Sequence, residues 1–366
     1  MRLRDAFLIG LAAVSGLGAA AAIAERARDG QASAPPVKAR PAPREASADA
    51  RRSLARAFVA SLSDAERAKC VRPLDDAERT KWYFARGDRA GLFLRDMDDD
   101  TRRAALALVD SILSGAGREQ WRLIRAVEAI NAANERASGV ATPTYGDTLY
   151  AMHFFGSPED IAWAFEIEGH HFVVHAAQVG DECTVTPVFT GSFPAEIGEG
   201  TEKGKRPLGG PVEIAFELAR SLDAAQREKA RIMDRPPADV LWAVGADAKA
   251  PEPRGVARSE MNDAQRALVD RLLATHAALY DDSVAERQLR EWRTRHGGAL
   301  AFAFVGETDL RKPHYYRLAS PSFTIEYDST NADASHVHCV WSDPASNFGG
   351  DALRAHLRAE HAAPAK

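Results

Sequence analysis

Histidines are the residues of this sequence whose spacing points most directly to chemistry. The chain contains 11 of them, and several fall in two short segments, EGHHFVVH at 168–175 and SHVHCVW at 335–341. Imidazole is the commonest metal ligand in proteins and the usual proton carrier near neutral pH. The two segments are therefore candidates for a metal or proton-transfer site.

The second segment has the spacing of two ligands on one strand. Its β-branched and aromatic residues favour a strand, in which His336 and His338 point to one face, about 6.5–7 Å apart at the backbone. Two imidazoles so placed can meet one metal ion, with nitrogen–metal distances of about 2.0–2.1 Å. The alternative is a pair of surface or hydrogen-bonded histidines.

The first segment resembles the helical H-E-x-x-H motif of zinc proteases only in part. The residues after His171 favour a strand, and none of them supplies the required glutamate. On a strand, His171 and His175 would lie about 13 Å apart and could not share an ion. Gly169 predicts a turn or bulge that brings Glu168, His170 and His171 together.

These spacings predict a catalytic site that combines the two segments. A group from the GHH turn would complete the pair on the H-x-H strand and leave one position for water. A divalent transition metal, zinc in the favoured case, could lower the pKa of that water to about 7. The predicted metal ligands are His170, His171, His336 and His338, and the predicted ligands or general bases are Glu168 and Glu326.

The leading functional hypothesis is therefore an exported metal-dependent enzyme, hydrolytic rather than redox, with an unidentified small-molecule or polymer substrate. Iron or copper on the same histidines would give the redox alternative. A second hypothesis is a non-catalytic binding protein, whose histidines contact a polar ligand in a pocket walled by Trp163, Trp341 and Tyr327. A third is purely structural, with interior histidines satisfied by Glu168 and Glu326.

Length and composition narrow the class of protein. The chain has 366 residues, of which 45% are hydrophobic and 27% charged, so it is neither disordered nor fibrous as a whole. A net charge of -5 and a pI near 6.1 argue against a nucleic-acid partner. Three cysteines are too few for a disulfide scaffold. Cys183 and Cys339 can pair and leave Cys70 free, or all three can be buried thiols.

The N-terminus predicts export to the periplasm or the medium. Two arginines precede an apolar run at 6–24 that ends in Ala-Ile-Ala, which is the pattern of a cleaved signal peptide. An uncleaved anchor is the alternative, and it would be the protein's only contact with a membrane. Residues 25–50, rich in Ala and Pro, predict a disordered linker. A single folded domain is expected over 51–362.

The folded region matches itself at an offset of 160 residues. SLSDAERAKC (61–70) resembles SLDAAQREKA (221–230), ALVDSIL (107–113) resembles ALVDRLL (267–273), and Trp82 matches Trp242. In each stretch, helical patterns come first and strand patterns follow. The sequence predicts an α+β fold of two pseudo-equivalent halves, about 55–195 and 215–345, each with helices followed by antiparallel strands and with the site between them.

The order of the motifs also resembles a family catalogued as domain of unknown function 3500. The resemblance rests on blocks such as FFGSP (154–158), TPVFTGSFP (186–194) and FGGDALRAH (348–356), together with the two histidine segments. It implies that GHH and H-x-H belong to one architecture, and it brings no established activity. The family tends to have Asn, Asn, Arg and Asp at four positions that are occupied here by His175, Ser335, Ser342 and Asn347.

Overall fold

The structure is a computed structural model that describes residues 47–87, 89–242, 252–296, 299–329, 331–350 and 353. The predicted signal peptide and most of the predicted linker lie outside these residues. The first helix begins at Ala48, where the Ser47 side chain accepts a hydrogen bond from the Ala50 amide. The fold therefore starts slightly before the predicted Arg51. Within the described residues, every helix is too short or too polar to cross a membrane.

The N-terminal part, residues 47–192, begins with helices and ends with strands. A cluster of helices alternates with two short strands before the main strands are reached. Its elements are α1 (Ala48–Ser61), α2 (Asp64–Cys70), β1 (Val71–Arg72), β2 (Leu92–Phe93), α3 (Asp99–Asp110), α4 (Gly115–Ala137), β3 (Ala151–Gly156), β4 (Ala162–Glu168), β5 (Phe172–Val179), β6 (Glu182–Thr184) and β7 (Val188–Ser192).

The C-terminal part, residues 209–342, has a similar order of elements, and the two ALVD segments lie in helices α3 and α7. Its elements are α5 (Gly209–Ser221), α6 (Ala224–Ala230), β8 (Val256–Ala257), α7 (Asp263–Ala277), α8 (Asp282–His296), β9 (Ala301–Gly306), β10 (His314–Ala319), β11 (Thr324–Ser329) and β12 (Val337–Ser342).

Local sequence explains where the two ALVD helices begin. Asp98 accepts a hydrogen bond from the Thr101 amide at the start of α3. Asn262 forms a reciprocal capping box with Gln265 at the start of α7. Such caps satisfy amides that have no partner in the first helical turn.

The strands join into one large, mostly antiparallel sheet, so the fold is mixed α/β. The strand order is β1-β3-β4-β5-β7-β12-β11-β10-β9-β8, with β2 on β3 and β6 on β5. The β1–β3 pair is parallel, and the other pairs are antiparallel. Strands β7 and β12 pair at the centre, where the N-terminal and C-terminal parts meet.

The two faces of the sheet have different coverings. The helices pack on one face, the helix face, against residues such as Phe154, Phe172 and Trp341. The opposite face, called here the loop face, is covered by segments that include Trp82 and Trp242, whose rings stack with centroids 5.8 Å apart. Because side chains alternate along a strand, each strand contributes to both faces.

Candidate functional site

Two strands that begin at the same end of the sheet bring the histidines together. Strands β5 and β12 flank β7, and both run antiparallel to it. His171 precedes β5, and its carbonyl accepts a 2.8 Å hydrogen bond from the Gly191 amide. His338, in β12, lies opposite the same glycine. The GHH turn and the H-x-H strand therefore meet across the end of β7.

Gly191 makes room for this meeting. A Cβ atom at position 191 would lie 2.6 Å from Cδ2 of His171 and 2.9 Å from Cδ2 of His338. Carbon atoms in van der Waals contact stay about 3.5–4.0 Å apart. A residue without a side chain is therefore required between the two rings.

Three of the rings form a triangle with the dimensions of a metal site. Nε2 of His171 lies 3.0 Å from Nε2 of His336. The ring centroids are 5.1 Å apart for 171–336, 5.7 Å for 171–338 and 4.5 Å for 336–338. Imidazoles bound to one tetrahedral zinc ion have nitrogens about 3.3 Å apart and centroids about 5 Å apart, as the zinc–nitrogen distance dictates. Ligand atoms of His170, His171 and His336 all lie within 4.8 Å of one another, whereas His338 forms such a group with Asp239 and Asp328.

His171 and His336 are neutral, as metal ligands must be. Burial lowers the pKa of His171 to about 4. Burial, reinforced by the neighbouring histidines, lowers the pKa of His336 to about 3. Both imidazoles therefore keep a nitrogen lone pair at neutral pH, which is the form that binds a metal ion.

Helix α4 supplies a carboxylate that orients the GHH turn. Nδ1 of His171 donates to Oε1 of Glu128 at 2.7 Å, and Nδ1 of His170 lies 3.2 Å from the same oxygen. Burial opposes ionisation of Glu128, but its hydrogen bonds from the two histidines lower its pKa to about 2. With Nδ1 of His171 committed to Glu128, Nε2 is left for a ligand.

A second carboxylate orients a histidine of the H-x-H segment. Oδ1 of Asp239 lies 2.8 Å from Nδ1 of His338. Nε2 of His338 is buried and has no hydrogen-bond partner among the described residues. A buried nitrogen without a partner costs free energy, and a metal ion in the triangle would satisfy it.

Asp328 places a second carboxyl group beside His338, its neighbour across β11 and β12. Its side chain is fully buried, and neither carboxylate oxygen has a hydrogen-bond partner in the described part of the chain. Burial, together with the charges of Asp239 and Glu326, raises the pKa of Asp328 to about 8. Ligand atoms of Asp239, Asp328 and His338 lie within 4.8 Å of one another.

The two predicted bases lie beneath the loop segments. Glu168 accepts a 3.0 Å hydrogen bond from the Tyr83 amide. Glu326 accepts hydrogen bonds from the Leu241 and Trp242 amides at 2.6 and 3.1 Å. Both carboxylates thus hold backbone of the loop face, and their role as ligand or base stays a prediction.

A cavity of about 760 Å³ opens beside the histidines. His170, His338, Glu128 and Asp239 line its floor. Its size is within the range that holds a small organic molecule. The histidine triangle therefore lies next to a space that a substrate can enter.

The prediction that three aromatic residues wall a pocket at the histidines is wrong. Trp163, Trp341 and Tyr327 all pack in the core on the helix face, whereas His338 points to the loop face. Strand alternation explains the difference, because the odd-numbered residues of β12 face away from His338. The aromatic rings beside the histidines belong instead to Phe84 and Phe189.

The cysteines are three buried thiols, the second of the two expectations. Cys70, Cys183 and Cys339 are all free. Burial raises the pKa of both Cys70 and Cys339 to about 12. Neither of these two thiols is therefore ionised or reactive near neutral pH.

A family model described as "Protein of unknown function (DUF3500)" matches residues 44–350. The chain belongs to this family. No curated protein and no solved structure matches it. The match covers both histidine segments and the helix that carries Glu128, so the complete cluster lies within the DUF3500 region.

Two of the four residues that depart from the pattern implied by the resemblance contact each other. Nδ2 of Asn347 donates a 2.9 Å hydrogen bond to Oγ of Ser342.

Glu128 and Asp239 were not predicted as site residues from the sequence. A signal existed for Glu128, which lies in line with Trp121 and Ile124 on the buried stripe of α4. A carboxylate on such a stripe is rarely buried without a partner. Asp239 lies in an irregular segment, where the sequence offers no periodic pattern.

Proposed function

We propose that this protein is an exported metal-dependent enzyme, suited to hydrolysis rather than redox chemistry. His171, His336 and His338 would hold one divalent transition metal ion, with zinc favoured. The observation that carries the proposal is the triangle of imidazoles, with centroids 4.5–5.7 Å apart. Three nitrogen ligands leave one tetrahedral position open, which is typical of catalytic zinc.

The residues of the chain would hold and orient this centre. A bound divalent ion would acidify a water molecule and polarise a carbonyl or phosphoryl oxygen of the substrate. Glu128 orients His171 and Asp239 orients His338. Replacing such a partner of a metal ligand typically lowers metal affinity or activity 10–100-fold. His170 lines the cavity and is the alternative to His171 as the third ligand, so that one position stays open in either case.

Glu168 and Glu326 remain the proposed general bases. Each already accepts hydrogen bonds from loop amides, so a role in proton transfer requires a free oxygen that reaches the cavity. Glu168→Gln and Glu326→Gln should lower the hydrolytic rate of the metal-loaded enzyme at least 100-fold for the residue that is the base. An unchanged rate in both variants would remove the assignment.

Metal analysis of the purified protein tests the proposed centre. The wild type should hold about one equivalent of zinc and hydrolyse members of a panel of ester and phosphoester substrates. His338→Ala should lose both properties while its circular dichroism spectrum is retained. His314→Gln, which alters a histidine outside the cluster, should keep the metal.

Asp239→Asn is the second variant, because its side chain is 45% exposed and the substitution keeps the shape. It should weaken metal affinity 10–100-fold. A wild type that never acquires metal, or a His338→Ala protein with stoichiometric metal, contradicts the proposal. Stoichiometric iron or copper with turnover only in the presence of an oxidant would favour the redox alternative.

The proposed export rests on the N-terminal sequence. Protein recovered from the periplasm or the medium should begin near Glu25, and N-terminal sequencing checks this. An intact Met1 terminus in the membrane fraction would contradict cleavage.

We also propose that the two parts arose by duplication, with the site between them. The repeated element order and the mirrored strand order about β7 and β12 support this. In addition, Glu168 and Glu326 each bind the backbone next to one of the matched tryptophans. Superposition of residues 48–192 on 209–342 should align β3 with β9 and α3 with α7, and a different alignment would contradict it.

A further inference from the structure

One wall of the cavity is basic. Arg86, Arg89 and Arg95 line it, all from the segment between Phe84 and Arg95. His170 and His338 line the same cavity. A molecule bound there can therefore contact both the guanidinium groups and the histidines.

Neutral groups hold these arginines in position. Arg86 donates a 3.2 Å hydrogen bond to Oγ1 of Thr144, and its guanidinium lies 4.8 Å from the ring centroid of Tyr145. Arg89 donates to the carbonyls of Tyr83 and Ala85. These contacts fix the directions of the side chains through hydrogen bonds to uncharged groups.

Ion pairs do little to cancel the positive charge. Among the described residues, Arg86 and Arg89 form no ion pair, and Arg95 has only a 3.7 Å contact with Asp96, in which both side chains are about half exposed. Exposed pairs of this kind contribute little. Burial lowers the pKa of Arg89, but a guanidinium remains charged at neutral pH.

The acids near these arginines make their hydrogen bonds to other groups. Glu128 and Asp239 are each hydrogen-bonded to histidines. Glu168 and Glu128 act on Arg89 only through space, and Glu168 accepts its hydrogen bond from the Tyr83 amide. The guanidinium groups of the basic wall can therefore bind an anion.

We propose that the cavity binds its substrate through an oxyanion, a carboxylate or a phosphate, held by the basic wall of Arg86, Arg89 and Arg95. Arginine is suited to this because its planar fork matches both groups. The apolar remainder of the ligand would lie against Phe84, Phe93 and Leu149, which line the same space. As an account of the substrate, the inference rests on the proposed function; the anion binding itself requires no metal.

Calorimetric titration of the full chain, after treatment with a chelator, tests the inference. Benzoate and benzamide are the matched probes, since they share a ring and differ in charge, and inorganic phosphate is the third. Benzoate or phosphate should bind, and benzamide should bind at least 10-fold more weakly than the better anion. The affinity of the anion should fall at higher salt. The stronger of the two anions identifies the substrate group.

Substitutions then locate the site. Arg86→Gln and Arg95→Gln should each weaken the bound anion at least fivefold without changing metal content. Arg103→Gln, on an exposed arginine of α3 outside the cavity, is the matched control and should change nothing. Equal binding of benzoate and benzamide, absence of anion binding, or variants with wild-type affinity would overturn the inference.

The same measurements separate the two proposals. If the protein prefers an anion to benzamide but never holds metal, the basic wall is supported and the proposed metal centre is rejected. If it holds stoichiometric metal that depends on His338 but does not distinguish the probes, the metal centre is supported and the basic wall is rejected.

Discussion

The N-terminal and C-terminal parts both bury acidic side chains on the loop face, but these acids have different partners. In the N-terminal part, Glu166 contacts Nδ1 of His153 at 2.6 Å and Nε2 of His175 at 3.0 Å. In the C-terminal part, Asp328 is fully buried with no partner for either oxygen among the described residues.

This difference separates structural from functional polar groups. A buried charge is tolerated when oppositely charged or hydrogen-bonding groups satisfy it. The Glu166 network meets that condition from its own strands, so its simplest role is to hold β3, β4 and β5 together. Asp328 does not meet it. Burial raises its pKa to about 8, so it is mostly protonated in the metal-free protein, and a cation beside His338 would stabilise its ionised form.

Glu166→Gln should give the largest loss of stability. The substitution keeps the shape but leaves His153 and His175 without their carboxylate, and breaking a buried pair typically costs about 3–5 kcal/mol. Urea unfolding at pH 7 measures the loss. Glu159→Gln, an exposed acid paired with Arg56, is the control and should change stability by less than about 0.5 kcal/mol. A Glu166→Gln protein as stable as the control would mean that the network is not structural.

Gly191→Ala should come next, at the junction of the two parts. Its Cβ would overlap both His171 and His338, and overpacking typically costs about 1–3 kcal/mol. The rings would separate, so metal content should fall with stability. Gly198→Ala is the matched control, since a Cβ there meets nothing within 4 Å. Unchanged metal content in Gly191→Ala would show that the triangle can form without the close approach of the two rings.

The pH dependence of stability should distinguish the buried histidines. His276, on the helix face, has its pKa lowered to about 4 by burial, against about 6.5 in the unfolded chain. Between these values the unfolded state binds the proton and the folded state does not. Stability is therefore complete above about pH 6.5 and falls toward pH 4, by up to about 1.4 kcal/mol per pH unit.

His276→Gln should flatten that decline, as urea unfolding at pH 7, 6 and 5 would reveal. His175 should act in the opposite sense. Burial opposes its protonation, but Glu166 raises its pKa, so its contribution is present at low pH and is lost as pH rises through the raised value. Identical slopes for wild type and His276→Gln would contradict the expected role of His276.

Asp328→Asn should have the smallest effect on the metal-free protein. The side chain has no hydrogen bond to lose among the described residues and is mostly protonated at neutral pH. Replacing it by a neutral amide of the same shape should therefore cost less than about 0.5 kcal/mol. Urea unfolding alongside Glu166→Gln provides the direct comparison. A loss as large as that of Glu166→Gln would show that Asp328 has a stabilising partner and that the contrast between the two parts is wrong.

The sequence by itself determined the local features. Caps at Asp98 and Asn262 follow from short-range hydrogen bonding. Strand alternation predicted that His336 and His338 lie on one side. The strand spacing also predicted that His171 and His175 are too far apart to share an ion, and His175 contacts Glu166 instead. These properties depend on a few neighbouring residues, so a single sequence carries them.

Only the tertiary structure decided which distant groups complete the cluster. Glu128 and His171 are 43 residues apart, and Asp239 and His338 are 99 residues apart. Their contacts depend on β5 and β12 flanking β7, and periodicity carries no information about strand order. The same long-range pairing put Trp163, Trp341 and Tyr327 on the helix face, away from the histidines, because packing of the whole sheet decides what covers each face.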